Sequence, residues 1–368
     1  MSLSLGFIGG GLNSAVGQAH YCASQLDKRW ELCAGLFSQH GDINLETGKA
    51  WHVDEKRVYP DLGEFLVQEQ QSLDAVVVLT PTPSHADIVC KLLDQGIAVI
   101  CEKALTASIA DLRRIESAYR ENSFLAVTYN YSGYPMVREL QQRIKAGELG
   151  KIHQIQIEMP ADVYLQIKQG EYLTPQSWRL EDGEIPTILL DLGVHLHHLC
   201  QFLTGLNPLE VNADYHNYSR FDDVVDDAHL WVKYEQGMNA SMWMSKTALG
   251  HRNGLRVRIY GEKGSAEWYQ MDPENLTLSD QQGRKTVVDR GCAASDLMPY
   301  ERFKPGHPIG FVEAFANLYG DIADALIDHR QGKVGNHPYV YGLEHAAQGL
   351  HMLRSATLAH EQRRWILL

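Results

Sequence analysis

The chain has 368 residues, 44% hydrophobic and 21% charged, with 33 Lys and Arg against 46 Asp and Glu for a net charge of −13. That length suits about two domains with sizeable cores, and the composition is that of a globular chain rather than a disordered one. So acidic a balance excludes nucleic acid and anionic membranes as partners drawn by bulk field and leaves a small molecule as the expected partner.

Residues 3–130 alternate short apolar runs with helical patterns. A strand over 3–8 stops at Gly9-Gly10-Gly11, and a helix follows over 16–26. Further strands are expected over 31–37, 74–79, 98–101 and 125–129, separated by helical stretches at 42–70 (broken at Tyr59-Pro60-Asp61) and 84–95 and by a further helix after 101. Continuous apolar strands between helices predict a parallel sheet covered on both faces, a doubly wound α/β domain over 1–130. From about 150 the pattern becomes alternating, at 153–158, 228–234, 239–244, 255–260 and 266–270, with glycine-containing turns at 235–237 and 261–264. These predict a large, mainly antiparallel open sheet flanked by helices in an α+β domain over 131–368. Helical spacing returns at 308–328 and 342–362, and these helices can pack back on the first domain. The six cysteines form no C-x-x-C pair, residues 1–11 lack a signal-peptide pattern, and no apolar run is long enough to span a membrane. A cytoplasmic protein is expected.

Glycines between the first strand and first helix let backbone N–H groups reach a dinucleotide pyrophosphate at the helix N-terminus. Gly9 and Gly11 match the first two glycines of G-x-G-x-x-G, the third falls at Gly17, and Leu12, Asn13 and Ser14 lie between. The acid that would hold the ribose, about 20 residues on, is missing from Leu36-Phe37-Ser38-Gln39-His40. Ser38 and His40 suit either a hydroxyl pair or a 2′-phosphate, so the cofactor is NAD or NADP, undecided.

Three later segments, Thr80-Pro81-Thr82-Pro83-Ser84-His85, Glu102-Lys103-Ala104-Leu105 and Asp191-Leu192-Gly193-Val194-His195, resemble the signature set of the Gfo/Idh/MocA oxidoreductases, relatives of glucose-fructose oxidoreductase and inositol dehydrogenase. The segment from Gly306 to Phe315 is similar to a C-terminal stretch of the same family. The resemblance implies an NAD(P)-binding Rossmann domain, a second domain for substrate binding and oligomerisation, and a cleft between them for a sugar or cyclitol. It also implies a homodimer or homotetramer formed through the C-terminal sheet. Lys103, Asp191 and His195 match the family's catalytic positions, and Thr80, Thr82, His85, Glu102, Lys103 and Asn130 join the glycine turn and Ser38 as expected cofactor contacts.

Hydride transfer from an alcohol carbon needs a base for the hydroxyl proton and a donor for the oxygen that becomes a carbonyl. Asp191 and His195, at i and i+4, would share one face of a helix, with His195 as base and Asp191 orienting it or binding a hydroxyl. Lys103, after a parallel strand, would donate to the reacting oxygen. Tyr131, Tyr164, Trp178, Arg179 and His198 complete the expected substrate contacts. No metal is expected, because His197 points away from His195 on a helix and no Cys or Glu completes a set with Asp191, His195 and His198. Ala104 replaces the family proline, and since a cis bond before a non-proline costs roughly 2.5–4 kcal/mol, a trans Lys103–Ala104 bond is expected. The glycine-rich stretch before the Asp191 helix is replaced by Glu184-Ile185-Pro186-Thr187-Ile188. Two other functions fit the same fold: a hydrolase or isomerase that retains its nicotinamide, and a non-catalytic nucleotide sensor.

Overall fold

A computed structural model describes residues 2–292, 302–333 and 337–368. The chain divides into two units, residues 1–133 with 311–347 and residues 134–310 with 348–368. In the first, β1 (Leu3–Gly9), α1 (Ala15–Leu26), β2 (Trp30–Leu36), α2 (Gly41–Ala50), α3 (Leu62–Glu69), β3 (Ala75–Leu79), α4 (His85–Asp94), β4 (Val99–Cys101), α5 (Ile109–Ala118) and β5 (Leu125–Val127) alternate along the chain. Among the described residues the strands form a five-stranded parallel sheet, ordered β2-β1-β3-β4-β5. β3 reads Ala-Val-Val-Val-Leu and is buried along its whole length, as β-branched residues covered on both faces should be. Ser14, Asp61 and Ser108 begin α1, α3 and α5 by accepting the backbone N–H three residues on, which satisfies a donor that the helix itself leaves unpaired.

The helix Phe311–Arg330 belongs to this unit and closes its core. Phe315, Leu318, Tyr319, Ile322 and Leu326 recur at helical spacing and pack with Leu5, Phe7, Trp30 and Val77. The Trp30 indole donates to the Tyr319 carbonyl at 2.8 Å, so a ring that would otherwise strand a polar atom is satisfied.

The second unit contains α6 (Pro135–Lys145), β6 (Ile152–Pro160), β7 (Ile167–Lys168), β8 (Glu171–Tyr172), α7 (Val194–Thr204), β9 (Pro208–His216), β10 (Asp227–Tyr234), β11 (Asn239–Ser245), β12 (Arg256–Gly261), β13 (Gly264–Tyr269), β14 (Asp272–Asp280), β15 (Lys285–Asp289) and β16 (Ile366–Leu367). Apart from the β7–β8 hairpin, the strands described here form a nine-stranded sheet, ordered β15-β14-β13-β12-β6-β11-β10-β9-β16. β10 buries Ala228, Leu230, Val232 and Tyr234 and turns His229, Trp231 and Lys233 the other way, so alternation sets one apolar face. The β10–β11 turn places Gln236 and Gly237 at positive φ, which brings Val232 opposite Ala240.

The sheet is mainly antiparallel, as expected, with one parallel pair, β6 and β11, in which Ile157 lies beside Met242. These two strands are distant in sequence, so no hairpin dictates their direction. β9, β14 and β15 were also not expected. β14 buries only Leu276 fully, leaving little alternation to read. Among the described residues no helix is long and apolar enough to cross a membrane.

Candidate active site

At the end of β1 the chain turns through Gly9 and Gly10 at φ of 84° and 76°, a region that side chains rarely adopt. A Cβ on Gly9 would lie 2.8 Å from the Thr80 nitrogen, so the glycine also admits the loop after β3. Gly17 takes the close-approach role of the motif's third glycine, because a Cβ there would lie 1.8 Å from the Gly10 carbonyl oxygen. Of the expected donors, Gly11 gives its N–H to the Phe37 carbonyl (3.0 Å) and Leu12 to Thr47 Oγ1 (3.1 Å). Those two groups therefore brace the turn against the end of β2 and α2. The exposed first turn of α1 at Ala15 and Val16, whose N–H groups have no intrahelical acceptor, faces outward for an anion.

The ribose end of β2 is shaped by Asn44, which the sequence reading did not single out. Its Oδ1 accepts the Phe37 N–H at 2.7 Å and its Nδ2 donates to the Tyr59 carbonyl at 2.8 Å. Ser38 Oγ accepts the His40 N–H at 3.1 Å.

Two loops at the C-terminal ends of β3 and β4 are joined by His85. Its ring nitrogens lie 2.8 Å from the Thr80 carbonyl and 2.9 Å from that of Ala104, and burial holds the imidazole below its ordinary pKa. His85 is thus a staple between the Thr80 and Lys103 loops. The Lys103–Ala104 peptide bond is cis, which corrects the expectation of a trans bond. That expectation weighed only the local preference of a non-proline residue; here Ala104 is buried and its carbonyl is held by His85.

Lys103 is half-buried just after β4. Glu102 turns inward: its Oε1 lies 3.0 Å from His20 Nε2 and accepts the Thr128 hydroxyl, while His20 Nδ1 is 2.7 Å from the Tyr319 hydroxyl. Burial is the largest single influence and would raise the Glu102 carboxyl, but the hydrogen bond and charge of His20 together with Lys103 and Thr128 outweigh it and leave it lowered. Glu102 therefore anchors the Lys103 loop through a buried Tyr319–His20–Glu102 chain. Thr80 Oγ1 accepts the Ser84 hydroxyl at 2.8 Å, and Thr82 begins the short turn that leads into α4. Asn130 and Tyr131 follow β5 in a buried turn.

In the second unit Asp191 lies in a π-turn, Leu189–Gly193, and α7 begins only at Val194. Asp191 and His195 thus lie on a helix, as expected, but one that opens with a π-turn instead of a regular α-turn. Asp191 Oδ2 accepts from Lys246 Nζ at 2.7 Å, and its Oδ1 is 3.8 Å from Arg179 Nη2. Arg179 stacks 4.3 Å over the Trp178 ring, and its carbonyl accepts the Tyr164 hydroxyl at 3.1 Å. Burial and the Asp191 charge both push the Tyr164 phenol up. His195 is buried at the start of α7, and His198, one turn on, has no exposed surface. Burial, then His195 and His197, push the His198 imidazole well down. Lys246 is not among the expected site residues: unlike Lys103 it lies in no motif, and a lysine directly after β11 reads from sequence as a solvated strand end.

These features can be set beside known proteins. The model described as the oxidoreductase family, NAD-binding Rossmann fold matches residues 3–131, and the GFO/IDH/MocA C-terminal domain matches residues 137–267. The chain belongs to the Gfo/Idh/MocA oxidoreductase family. It is 30% identical over 342 residues to the uncharacterized oxidoreductase YfiI of Bacillus subtilis (strain 168), covering 87% of this chain and 84% of that one. It is 23% identical over 224 residues to scyllo-inositol 2-dehydrogenase (NAD(+)) of the same strain, covering 59% and 61%. An inositol dehydrogenase homolog from Azotobacter vinelandii, solved with NADH and myo-inositol, superposes with a TM-score of 0.91 at 25% identity over 100% of this chain and 98% of that one.

The first unit is an NAD(P)-binding Rossmann domain, and its residues fit that group. The glycine turn has no room for a Cβ at Gly9 or Gly17. The buried Asn130 Nδ2 has no hydrogen-bond partner among the described residues, a vacancy a cofactor acceptor would fill. With no carboxylate at the end of β2, the choice between NAD and NADP stays open.

Proposed function

We propose that this oxidoreductase is a dehydrogenase acting on a secondary hydroxyl of a sugar, cyclitol or related polyol, or on the corresponding ketone in reverse. The observation that carries the reading is the position of Lys103 and Asn130 in the segments that follow β4 and β5, at the strand ends where open parallel sheets take their ligands. The relative solved with NADH and myo-inositol supports the substrate class.

The bound nicotinamide supplies a hydride acceptor at its C4. Lys103 donates a hydrogen bond to the substrate oxygen as it becomes a carbonyl, and His195 takes the hydroxyl proton. Asp191, held by Lys246, accepts from a substrate hydroxyl and fixes the sugar's orientation. The remaining expected contacts, Tyr131, Tyr164, Trp178, Arg179 and His198, shape the polyol's surroundings, with Tyr164 and His198 acting from buried positions.

The same reading includes a homo-oligomer formed through the nine-stranded sheet, whose outward side shows Trp231 and Tyr260 at 44% and 39% exposure. It also includes a reducing, cytoplasmic setting, in keeping with cysteines that form no disulfide among the described residues.

Lys103→Met tests the assignment. It should keep the thermal stabilisation by NAD(H) or NADP(H) and lose turnover by about 100-fold or more, the scale of one lost electrostatic donor. A near-normal kcat on a polyol that the parent oxidises would remove Lys103 from the reaction.

A further inference from the structure

Lys246 follows β11 and its main chain is fixed on both sides: its N–H donates to the Asp226 carbonyl at 2.7 Å, and its own carbonyl accepts the Tyr164 N–H at 3.0 Å. The side chain runs inward, with Nζ 2.7 Å from Asp191 Oδ2 and 5.2 Å from the centre of the Tyr164 ring. Taking an ammonium out of water costs several kcal/mol even when it is paired. The neighbouring positions Met242 and Met244 show that this strand buries unbranched apolar side chains readily, so a lysine here is a costly filler.

The exposures of the two partners are unequal. The Lys246 side chain is 4% exposed and that of Asp191 18%. The ammonium thus stands behind the carboxylate, and the carboxylate keeps the accessible surface. Arg179, itself held by Trp178 and by Gln176 Oε1 at 3.1 Å, faces the other oxygen at 3.8 Å. A carboxylate gripped from behind on Oδ2 has its rotamer set before any ligand arrives. It sits in a π-turn, a backbone feature found often at functional sites.

We propose that Lys246 is a positioning residue for substrate binding. It holds Asp191 in one orientation, so that the carboxylate can accept a hydrogen bond from a hydroxyl of a neutral polyol. Lys246 does not itself meet the substrate. This rests on the dehydrogenase reading above.

The test is a double-mutant cycle on kcat/KM, with myo-inositol and NAD+ or NADP+ as probes and thermal melts with and without nucleotide on every variant. Lys246→Met should fold, keep its nucleotide shift and lose about 100-fold in kcat/KM, the cost of a catalytic-site group misplaced by about 1 Å. Added to Asp191→Asn, the same change should cost less than about threefold, because the group that Lys246 acts through is already gone. A Lys246→Met enzyme within about threefold of the parent overturns the proposal, and so does a further 100-fold loss in the Asp191→Asn background. If either single variant fails to fold, Lys246→Arg and Lys246→Gln replace it: the charged variant should keep at least about tenfold more kcat/KM than the neutral one, and equal values overturn the proposal. A parent enzyme inactive on myo-inositol and on every sugar and polyol tried overturns the dehydrogenase reading and this role with it. An active parent with an indifferent Lys246 overturns this role alone.

Discussion

Gly17→Ala is the sharpest test of how the nucleotide turn is built. The new Cβ would lie 1.8 Å from the Gly10 carbonyl oxygen and 2.6 Å from the Gly10 Cα, both backbone atoms that no rotamer change can move aside. Ordinary contact begins at 3.4 Å, so the start of α1 and the glycine turn must separate by about 1.5 Å. Overpacking of this kind costs about 1–3 kcal/mol, a melting drop of about 2–12 °C for a unit of this size. The cofactor should suffer more. Each backbone N–H lost from a charged phosphate costs about 1.5–3 kcal/mol, so one or two lost contacts weaken binding about 100-fold. Nucleotide at 100 times the parent Kd stabilises the parent by about 2.7 kcal/mol, and the variant by only about 0.4 kcal/mol at the same concentration. Thermal melts with and without NAD+ and NADP+ measure both effects. Gly41→Ala, with nothing within 4 Å of the new methyl, is the control and should leave both values unchanged. A Gly17→Ala protein with the parent's melting point and nucleotide shift would refute the role given to this glycine.

Asn44→Leu should destabilise the first unit by about 2–4 kcal/mol and weaken nucleotide binding, since it leaves the Phe37 N–H and the Tyr59 carbonyl unpaired in buried surroundings; chemical denaturation and a nucleotide titration check this. His197→Leu bears on pH. Burial pushes the His197 imidazole down to about 4, whereas the unfolded chain titrates near 6.5. Above 6.5 neither state binds the proton; as pH falls from about 6.5 to about 4, only the unfolded state does, so stability is lost across that window. The full difference is about 3 kcal/mol, and His198, shifted the same way, adds to it. His197→Leu should flatten the fall in melting temperature between pH 6.5 and 4, and an unchanged slope would show that His197 is not buried neutral.

The nucleotide half was legible because its signals are local. The strands of the first sheet are short, mainly apolar runs, such as Ala-Val-Val-Val-Leu in β3, which ends at Thr80-Pro81, so their approximate ends follow from the sequence. Lys103, Asn130 and the glycine turn fall where the pattern puts them. The rest depends on long-range contacts. Asn44 is unremarkable within α2, and only the folded chain brings the ends of Phe37 and Tyr59 to it. Lys246 and Asp191 are 55 residues apart and meet only once β11 is docked. The π-turn at Asp191 has no composition signature, and β14 presents too little burial to show a period. The cis Lys103–Ala104 bond reverses a residue-level preference in surroundings that include His85, 19 residues away.

The proposed activity requires that hydride pass from a polyol carbon to the nicotinamide. The decisive measurement incubates the protein and NAD+ or NADP+ with a panel of polyols, each deuterated at its secondary carbinol carbons, and counts reduced nucleotide, ketone and deuterium together. A dehydrogenase of this kind gives one reduced nucleotide per ketone, carrying the deuterium at C4. Product without net reduced nucleotide, or no product and no reduced nucleotide from any member of the panel, would contradict it.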